Sequence, residues 1–191
     1  MIKLKIIIKS TRQGRFGGKA AQWLMSEIKK NPNFEAELLD LRDYPMPFFD
    51  EEKTPSTMPD GYDKPEAVVK WSAKVKEGEA FVVVTPEYNH GYSAVLKNAL
   101  DYNYHFWNNK PVAFVAYGSV GGARAVEQLR LVAVELQMAP IRQAVHINSP
   151  WNLVDDKGAL KPGVLDSYTD PAGKMFEQLS WWGNALNAAR K

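Results

Sequence analysis

The chain contains no cysteine, only three histidines and no long apolar run. The absence of cysteine excludes disulfide bonds, catalysis by a thiolate and iron or zinc sites ligated by cysteine. No stretch approaches the ~18 apolar residues of a membrane span, so we expect no membrane partner. The histidines are scattered along the chain, which argues against a dedicated metal site.

Net charge is also low. The formal value is +2, which gives no reason to expect a nucleic-acid partner. The first ten residues lack the apolar core and the cleavage site of a secretory signal, so we expect a cytoplasmic protein. The chain has 191 residues, of which 45% are hydrophobic. That is enough for one core, and we expect a single domain over residues 1–191.

Apolar runs and helical patterns alternate along the chain. Runs rich in β-branched residues are typical of buried strands, whereas apolar residues at every third or fourth position predict amphipathic helices. Strands are predicted at residues 2–8, 34–41, 80–84, 111–116 and 141–147, and helices at 18–30, 65–77, 93–107, 123–137 and 171–190. This alternation predicts an α/β fold with a parallel, doubly wound sheet.

Polar loops follow the first, third and fourth predicted strands, at residues 9–18, 85–91 and 117–123. Open α/β sheets bind ligands beyond the carboxyl ends of their strands. We therefore interpret each of these loops as one wall of a candidate ligand pocket.

The first loop, KSTRQGRFGG, carries hydroxyl groups, two guanidinium groups and glycines directly ahead of a helix. A phosphate needs several donors, close backbone approach and a helix N-terminus, and this loop offers all three. Two full charges suit a dianionic phosphate monoester better than neutral donors do. The alternative interpretation is a solvated basic turn. The candidate binding residues of this loop are Ser10, Arg12, Gln13, Arg15 and Phe16.

The second loop leads into the stretch TPEYNHGYSAVLKNALD at residues 85–101. This stretch resembles the PEYN…LKNAID signature of the NAD(P)H-dependent FMN reductase family, and the resemblance extends from residue 4 to about residue 150. The resemblance implies a flavodoxin-like three-layer sandwich with a five-stranded parallel sheet of order 2-1-3-4-5. In that order the carboxyl ends of strands one, three and four are neighbours.

The resemblance also implies roles for the three loops. The first is similar to the family's phosphate loop, commonly GSxRxxS or GSTRxxR, although Lys9 stands where the family usually has glycine. The second is expected to line the isoalloxazine ring and ribityl chain of FMN, and the glycine-rich third loop is expected to lie against the pyrimidine end. The residues implied are Pro86, Glu87, Tyr88, Asn89, Gly118 and Ser119.

The implied activity is that of an FMN reductase or a quinone reductase-like oxidoreductase. Bound FMN accepts hydride from NADPH or NADH and then reduces a small-molecule acceptor, such as free flavin, a quinone, an azo compound or a metal oxyanion. Because the cofactor carries the chemistry, no catalytic side chain is assigned, and His90 is interpreted as a packing or solvent-exposed residue. Two alternatives stay open: a flavodoxin-type electron carrier, against which the charge of +2 argues, and a flavin redox sensor that binds a protein partner.

Residues 42–65 hold five of the twelve prolines, together with Phe48 and Phe49. A loop of this length inside a compact domain is typically functional or mobile. The alternative is a surface connection that the prolines stiffen.

The predicted helix at residues 93–107 carries four aromatic rings, at Tyr102, Tyr104, Phe106 and Trp107. Because a helix turns about 100° per residue, these rings cannot all share one buried face, and exposed aromatic surface marks interfaces. We therefore expect a homodimer or homotetramer in which a second subunit completes the flavin pocket. Alternatively, residues 42–65 fold over the rings within one chain.

Overall fold

The structure, a computed structural model, describes residues 1–58 and 64–190. The strands are β1 (Ile2–Ile8), β2 (Phe34–Asp40), β3 (Ala80–Pro86), β4 (Pro111–Gly118) and β5 (Ala139–Asn148). The helices are α1 (Gly17–Ile28), α2 (Glu66–Glu77), α3 (Ala94–Asp101), α4 (Ala123–Glu135) and α5 (Thr169–Ala189). The predicted alternation of strands and helices is confirmed.

The five strands form one parallel sheet in the order β2-β1-β3-β4-β5, which confirms the predicted topology. At its carboxyl edge, Ile8 pairs with Asp40 of β2 on one side and with Val84 of β3 on the other. Pro86 pairs in turn with Tyr117 of β4. The ends of β1, β3 and β4 are therefore neighbours, as a site at this edge requires.

Apolar side chains cover both faces of the sheet. Alternate residues of β1 point to opposite faces: Ile6 packs in the core beneath α1 and α5, and Ile7 packs in the core beneath α2, α3 and α4. Every residue of β3 is buried, because a central parallel strand is covered from both sides. The second core also holds the fully buried Trp71, whose indole N–H donates to the Ala99 carbonyl oxygen at 2.7 Å.

Helix α3 is shorter than predicted. Ser93 caps its start, since the hydroxyl oxygen accepts from the Leu96 N–H, but the helix ends at Asp101 instead of residue 107. The predicted extension was wrong because the next rings turn inward. Tyr102 and Trp107 are both buried, and the indole N–H of Trp107 donates to the Leu100 carbonyl oxygen at 3.2 Å.

The segment after β2 packs against α3 and covers part of these rings. The Phe49 ring lies edge-on to Tyr102, with centroids 5.3 Å apart, and the Tyr102 hydroxyl donates to the Pro47 carbonyl oxygen at 3.1 Å. Asn98 fastens the segment, because its amide donates to Pro47 and its side-chain oxygen accepts from the Phe49 N–H. The intramolecular alternative for the rings is thus seen at residues 47–49. Within the predicted loop, residues 59–63 lie outside the described residues.

No helix in the described part of the chain is long and apolar enough to span a membrane.

Candidate functional site

The loops after β1, β3 and β4 meet at the carboxyl edge of the sheet. The Ser10 hydroxyl oxygen lies 3.0 Å from the Tyr88 hydroxyl oxygen, which joins the first loop to the second. The Glu87 N–H donates to the Tyr117 carbonyl oxygen at 3.0 Å, which joins the second loop to the end of β4. The structure thus brings together the three loops that the sequence singled out.

Arg12 is the exposed cation of the first loop. Its guanidinium carbon lies 5.8 Å from the centre of the Tyr88 ring, and no carboxylate among residues 1–58 and 64–190 pairs with it. Gln13 is also exposed, and Gly14 has a φ of +65°, a left-handed conformation that glycine adopts without strain. The loop therefore presents Arg12 and Gln13 outward.

Arg15, in contrast, is buried and turned toward the sheet. Its guanidinium donates to both carboxylate oxygens of Asp40 and to the Ser10 carbonyl oxygen. Arg42 donates to the same carboxylate. Burial opposes ionisation, but the hydrogen bonds from Arg15 and Arg42 hold the pKa of Asp40 well below its usual range. Asp40 was not among the predicted site residues. The only indication in the sequence was an acidic residue at the end of the second predicted strand.

The first turn of α1 packs directly on the end of β4. Phe16 is buried with its ring centre 5.1 Å from that of Tyr117. A Cβ at Gly17 would lie 2.6 Å from the Tyr117 hydroxyl oxygen, so only glycine allows this approach. Burial raises the pKa of Tyr117, and the hydroxyl stays protonated beneath the loop.

In the second loop, Pro86 is buried as the last residue of β3. The Glu87 carboxylate does not face the loop's open side but accepts from the Arg124 side chain at 2.7 Å and from the Arg124 N–H at 3.0 Å. Burial alone would raise the pKa of Glu87, but these hydrogen bonds, with another from the Ala125 N–H, lower it. Glu87 therefore ties the second loop to the N-terminus of α4.

The rest of this loop is a tight turn. The Tyr88 N–H donates to the Gly91 carbonyl oxygen at 2.8 Å, and the Gly91 N–H donates back at 2.9 Å. Asn89 and His90 at its tip have φ values of 49° and 67° and exposed side chains. The His90 carbonyl oxygen accepts from the Gln128 amide at 2.9 Å. The backbone of the turn is thus held in place while its tip faces solvent.

The third loop bends sharply through two glycines. Gly121 and Gly122 have φ values of 63° and 72°, and a Cβ at Gly122 would lie 2.7 Å from the Ala116 Cβ. Gly118 lies against Glu87, with 3.3 Å from its ideal Cβ position to the Glu87 Cβ. Ser119 is exposed at the edge of the pocket.

Lys9 is the feature of the site that sequence reasoning noticed only as a departure from the family pattern. Its side chain is completely buried, and its ammonium nitrogen has no hydrogen-bond partner in the described part of the chain. The nitrogen lies 5.9 Å from the ring centres of both Tyr88 and Tyr92. Burial lowers the pKa of Lys9 to about 7.

Cations predominate beside the first loop. An open groove of about 460 Å³ lies between this loop and the end of β2, and it is lined by Arg12, Arg15, Lys19, Arg42, Asp40 and Asp43 among others. Exposed Arg12 and the unpartnered Lys9 suit a phosphate-bearing ligand, and the half-buried Tyr88 ring beside them suits a flat aromatic one. The residues present therefore fit a flavin mononucleotide. The described residues include no group of three or more His, Asp or Glu side chains that could hold a metal ion.

Comparison with known proteins agrees with this geometry. The family model described as NADPH-dependent FMN reductase matches residues 2–152. An NAD(P)H-dependent FMN reductase of Schizosaccharomyces pombe is 39% identical over 179 residues, which cover 93% of this chain and 83% of that protein. A quinone reductase of Pseudomonas putida is 28% identical over 163 residues, which cover 81% and 82%.

Among solved structures, the flavoenzyme NAD(P)H:(acceptor) oxidoreductase FerB of Paracoccus denitrificans superposes with a TM-score of 0.74 at 19% identity, covering 96% of this chain and 98% of that chain. That likeness shows a shared fold. Together with the family model and the sequence relatives, it places the chain in the NADPH-dependent FMN reductase family, as an oxidoreductase with FMN as cofactor and NAD(P)H as co-substrate.

Proposed function

We propose that residues 1–191 form a single domain that binds FMN across the three loops and transfers reducing equivalents from NAD(P)H to a small-molecule acceptor, for which we favour quinones. The observation that carries the proposal is the junction of Ser10 and Tyr88, 3.0 Å apart, with the exposed Arg12 over the same ring. It puts a basic loop ahead of a helix directly beside an aromatic surface.

The first loop is proposed to hold the phosphate. Arg12 and Gln13, which point outward, and the Ser10 hydroxyl supply donors, and charge-assisted bonds from Arg12 provide most of the affinity. Arg15 and Phe16 hold the loop's shape, since Arg15 is paired with Asp40 and Phe16 is buried against β4. This division of roles follows from where each side chain points.

The second and third loops are proposed to hold the flavin ring. Pro86, Tyr88 and the backbone at Asn89 form one side of the pocket, and Glu87 contributes through its backbone because its carboxylate is bound to Arg124. The edge at Gly118 and Ser119 forms the other side, where the absence of a Cβ at Gly118 lets Glu87 pack close to the end of β4.

FMN, when bound, supplies the hydride and electron transfer. The chain's residues bind the phosphate, orient the ring and tie the loops to one another. No side chain is required as a nucleophile or general base, and the exposed His90 makes no side-chain hydrogen bond among the described residues. We therefore propose that catalysis depends on positioning alone.

The choice of quinones as acceptors rests on the similarity to the Pseudomonas putida quinone reductase. The relatives also include a 2-hydroxy-1,4-benzoquinone reductase of Burkholderia sp. Because NAD(P)H is supplied in the cytoplasm, we propose that compartment for the reaction.

An anaerobic titration of the FMN-loaded protein tests the function. We expect NADPH or NADH to bleach the flavin absorbance within seconds, and 1,4-benzoquinone to restore it. Methyl red and free riboflavin, added separately, test an azo compound and a free flavin as acceptors. A flavin that stays oxidised for minutes with both nucleotides would contradict an enzyme and favour an electron carrier, and restoration by the azo dye alone would contradict the choice of quinones.

We also propose that the protein is a homodimer or homotetramer. The argument for an interface from exposed aromatic rings does not apply to Tyr102 and Trp107, because both are buried within the chain. Support comes from α4, where Leu131 is 74% exposed and Val134 62% exposed, one turn apart. Exposed apolar side chains on one helix face are typical of an interface.

Sedimentation from micromolar to submicromolar concentrations tests the assembly. We expect a species of at least twice the 21.5 kDa chain mass, and dissociation in Leu131→Glu and Val134→Glu. The matched control is Val69→Glu, a change at another exposed apolar residue, on α2. A monomer of 21.5 kDa with full FMN occupancy would contradict the proposal.

A further inference from the structure

Lys9 differs from the other buried lysines of the chain. Lys5 is also buried, but its ammonium group forms ion pairs with Glu37 and Glu77. Lys110 is buried and donates to two backbone carbonyl oxygens at 3.0 and 3.1 Å. Lys9 alone among these three is without a hydrogen-bond partner. Buried charges are normally paired, so this exception needs a cause.

The surroundings of Lys9 do not compensate its charge. The Lys9 nitrogen lies near the rings of Tyr88 and Tyr92, from the loop after β3, and Arg12 lies against the same Tyr88 ring. Aromatic faces attract a cation only weakly compared with the desolvation of a buried ammonium group. Arg12 carries the same sign of charge, and Asp40 on β2 already pairs with Arg15 and Arg42. Neither Lys9 nor Arg12 is paired with a carboxylate in the described part of the chain.

Lys9, Ser10 and Arg12 all lie around the ring of Tyr88. The Lys9 nitrogen and the Arg12 guanidinium are each within 6 Å of the Tyr88 ring centre, at 5.9 and 5.8 Å. Ser10, which lies between them in the sequence, is 3.0 Å from the hydroxyl of that ring. A phosphate bound by Ser10 and Arg12 would therefore lie beside the same tyrosine as the buried amine. Protein between two charges screens them less than water does, so direct contact is not needed for a strong interaction.

We propose that Lys9 is a proton-linked counter-charge for the phosphate of the bound flavin nucleotide. In the ligand-free protein the amine is largely neutral above neutral pH; when the phosphate binds, one proton passes from solvent to the Lys9 nitrogen, and the phosphate remains a dianion. The inference rests on the proposed FMN site and adds to it a positioning and specificity-determining residue. No covalent bond is made or broken apart from the N–H bond that this proton forms.

The proposal predicts a particular pH dependence. Because the pKa of Lys9 is about 7 without ligand and the dianion favours its charged form, FMN affinity should fall as pH rises above 7. A phosphate monoester has its second pKa near 6 and is already dianionic at pH 8, so the ligand itself takes up no proton there. Riboflavin lacks phosphate, so its affinity should not fall with rising pH and its binding should take up no proton.

Calorimetry measures the proton directly. FMN and riboflavin are titrated at pH 8 in HEPES and in Tris, whose different ionisation enthalpies reveal the protons exchanged. We expect the unmodified protein to take up close to one proton per FMN and almost none per riboflavin. Lys9→Met should abolish the uptake, whereas Lys110→Met, which replaces a buried lysine at the opposite edge of the sheet, should leave it unchanged.

The outcomes separate this proposal from the proposed function. FMN binding with the same proton uptake in Lys9→Met would overturn the role of Lys9 and leave the FMN site standing. No FMN binding by the unmodified protein would overturn the proposed function itself. If Lys9→Met does not fold, the ratio of FMN to riboflavin affinity in the unmodified protein decides. It should fall by up to about tenfold per pH unit between pH 7 and 9, and a constant ratio would overturn the proposal.

Discussion

Arg15 and Asp40 form a bidentate ion pair beneath the candidate phosphate loop. The pair joins the loop after β1 to the end of β2. The pair explains why Arg15 is buried although the four residues before it, 11–14, are exposed. It also leaves Arg12 as the outward-facing arginine of the loop. The charge of the loop is thus divided between one arginine that supports the fold and one that is available to a ligand.

Asp40→Asn should destabilise the protein because it leaves the buried Arg15 guanidinium without its counter-charge. Breaking such a pair typically costs ~3–5 kcal/mol, measured as the free energy of unfolding in urea. Arg42→Ala is the matched control, since it removes the exposed partner of the same carboxylate and should cost about 1 kcal/mol or less.

The effect of Asp40 should also depend on pH. Its pKa is lowered in the folded protein, so its contribution is fully present above the ordinary value of 3.8 and is lost as pH falls below it. The stability difference between the unmodified protein and Asp40→Asn should be constant near neutral pH and narrow below 3.8. A difference that widens in acid would contradict this assignment.

Arg12→Ala should weaken FMN binding by about tenfold or more, because a charge-assisted hydrogen bond contributes ~1.5–3 kcal/mol. Riboflavin binding should change little, since it offers no phosphate. Fluorescence titration of both ligands makes the comparison, with Arg142→Ala as a control at an exposed arginine on the outer strand β5. Equal losses for FMN and riboflavin would show that Arg12 does not contact the phosphate.

Lys9→Met should stabilise the ligand-free protein, and most strongly at pH 7 and below. Because the pKa of Lys9 falls from 10.5 to about 7 on folding, the unfolded chain binds the proton more tightly, and the cost of the buried charge is largest below pH 7. That cost shrinks as pH rises from 7 toward 10.5. Thermal unfolding of the unmodified protein and Lys9→Met at pH 6.5 and 9 measures the stabilisation at each pH. A larger stabilisation at pH 9 than at pH 6.5 would contradict the predicted direction.

Gly122→Ala should destabilise the third loop. An alanine at a φ of 72° is strained by about 1–2 kcal/mol, and its Cβ would also lie 2.7 Å from the Ala116 Cβ. Gly173→Ala is the control, because that glycine is inside α5 with nothing within 4 Å of an added Cβ. This second change should raise the free energy of unfolding by up to ~1 kcal/mol. Equal effects of the two substitutions would show that the turn tolerates a side chain.

His90→Ala should leave the rate of flavin reduction by NADPH within about tenfold of the unmodified protein. General acid–base catalysis typically contributes ~100-fold or more, and the His90 side chain is exposed at the tip of its turn. Stopped-flow absorbance measures the rate under anaerobic conditions. A loss of about three orders of magnitude with FMN still bound would assign a catalytic role to His90.

The amino-acid sequence by itself determined the order of strands and helices, because apolar periodicity is a local property. The apolar run at residues 80–84 is continuous, and the run at residues 2–8 is nearly so at its end, where both faces of the sheet are covered. The three polar loops were also predictable, since a loop that follows a buried strand in this topology lies at the ligand-binding edge. The signature at residues 85–101 then indicated the family.

Only the tertiary structure decided which polar side chains are free to meet a ligand. Arg12 and Arg15 are three residues apart and equivalent in the sequence, yet the pairing of β1 with β2 brings Asp40 to Arg15 alone. The Glu87 carboxylate is likewise taken by Arg124, which is 37 residues away. The early end of α3 has the same origin, because Tyr102 packs against the distant Phe49. Burial and pairing depend on contacts between remote segments, and no local pattern encodes them.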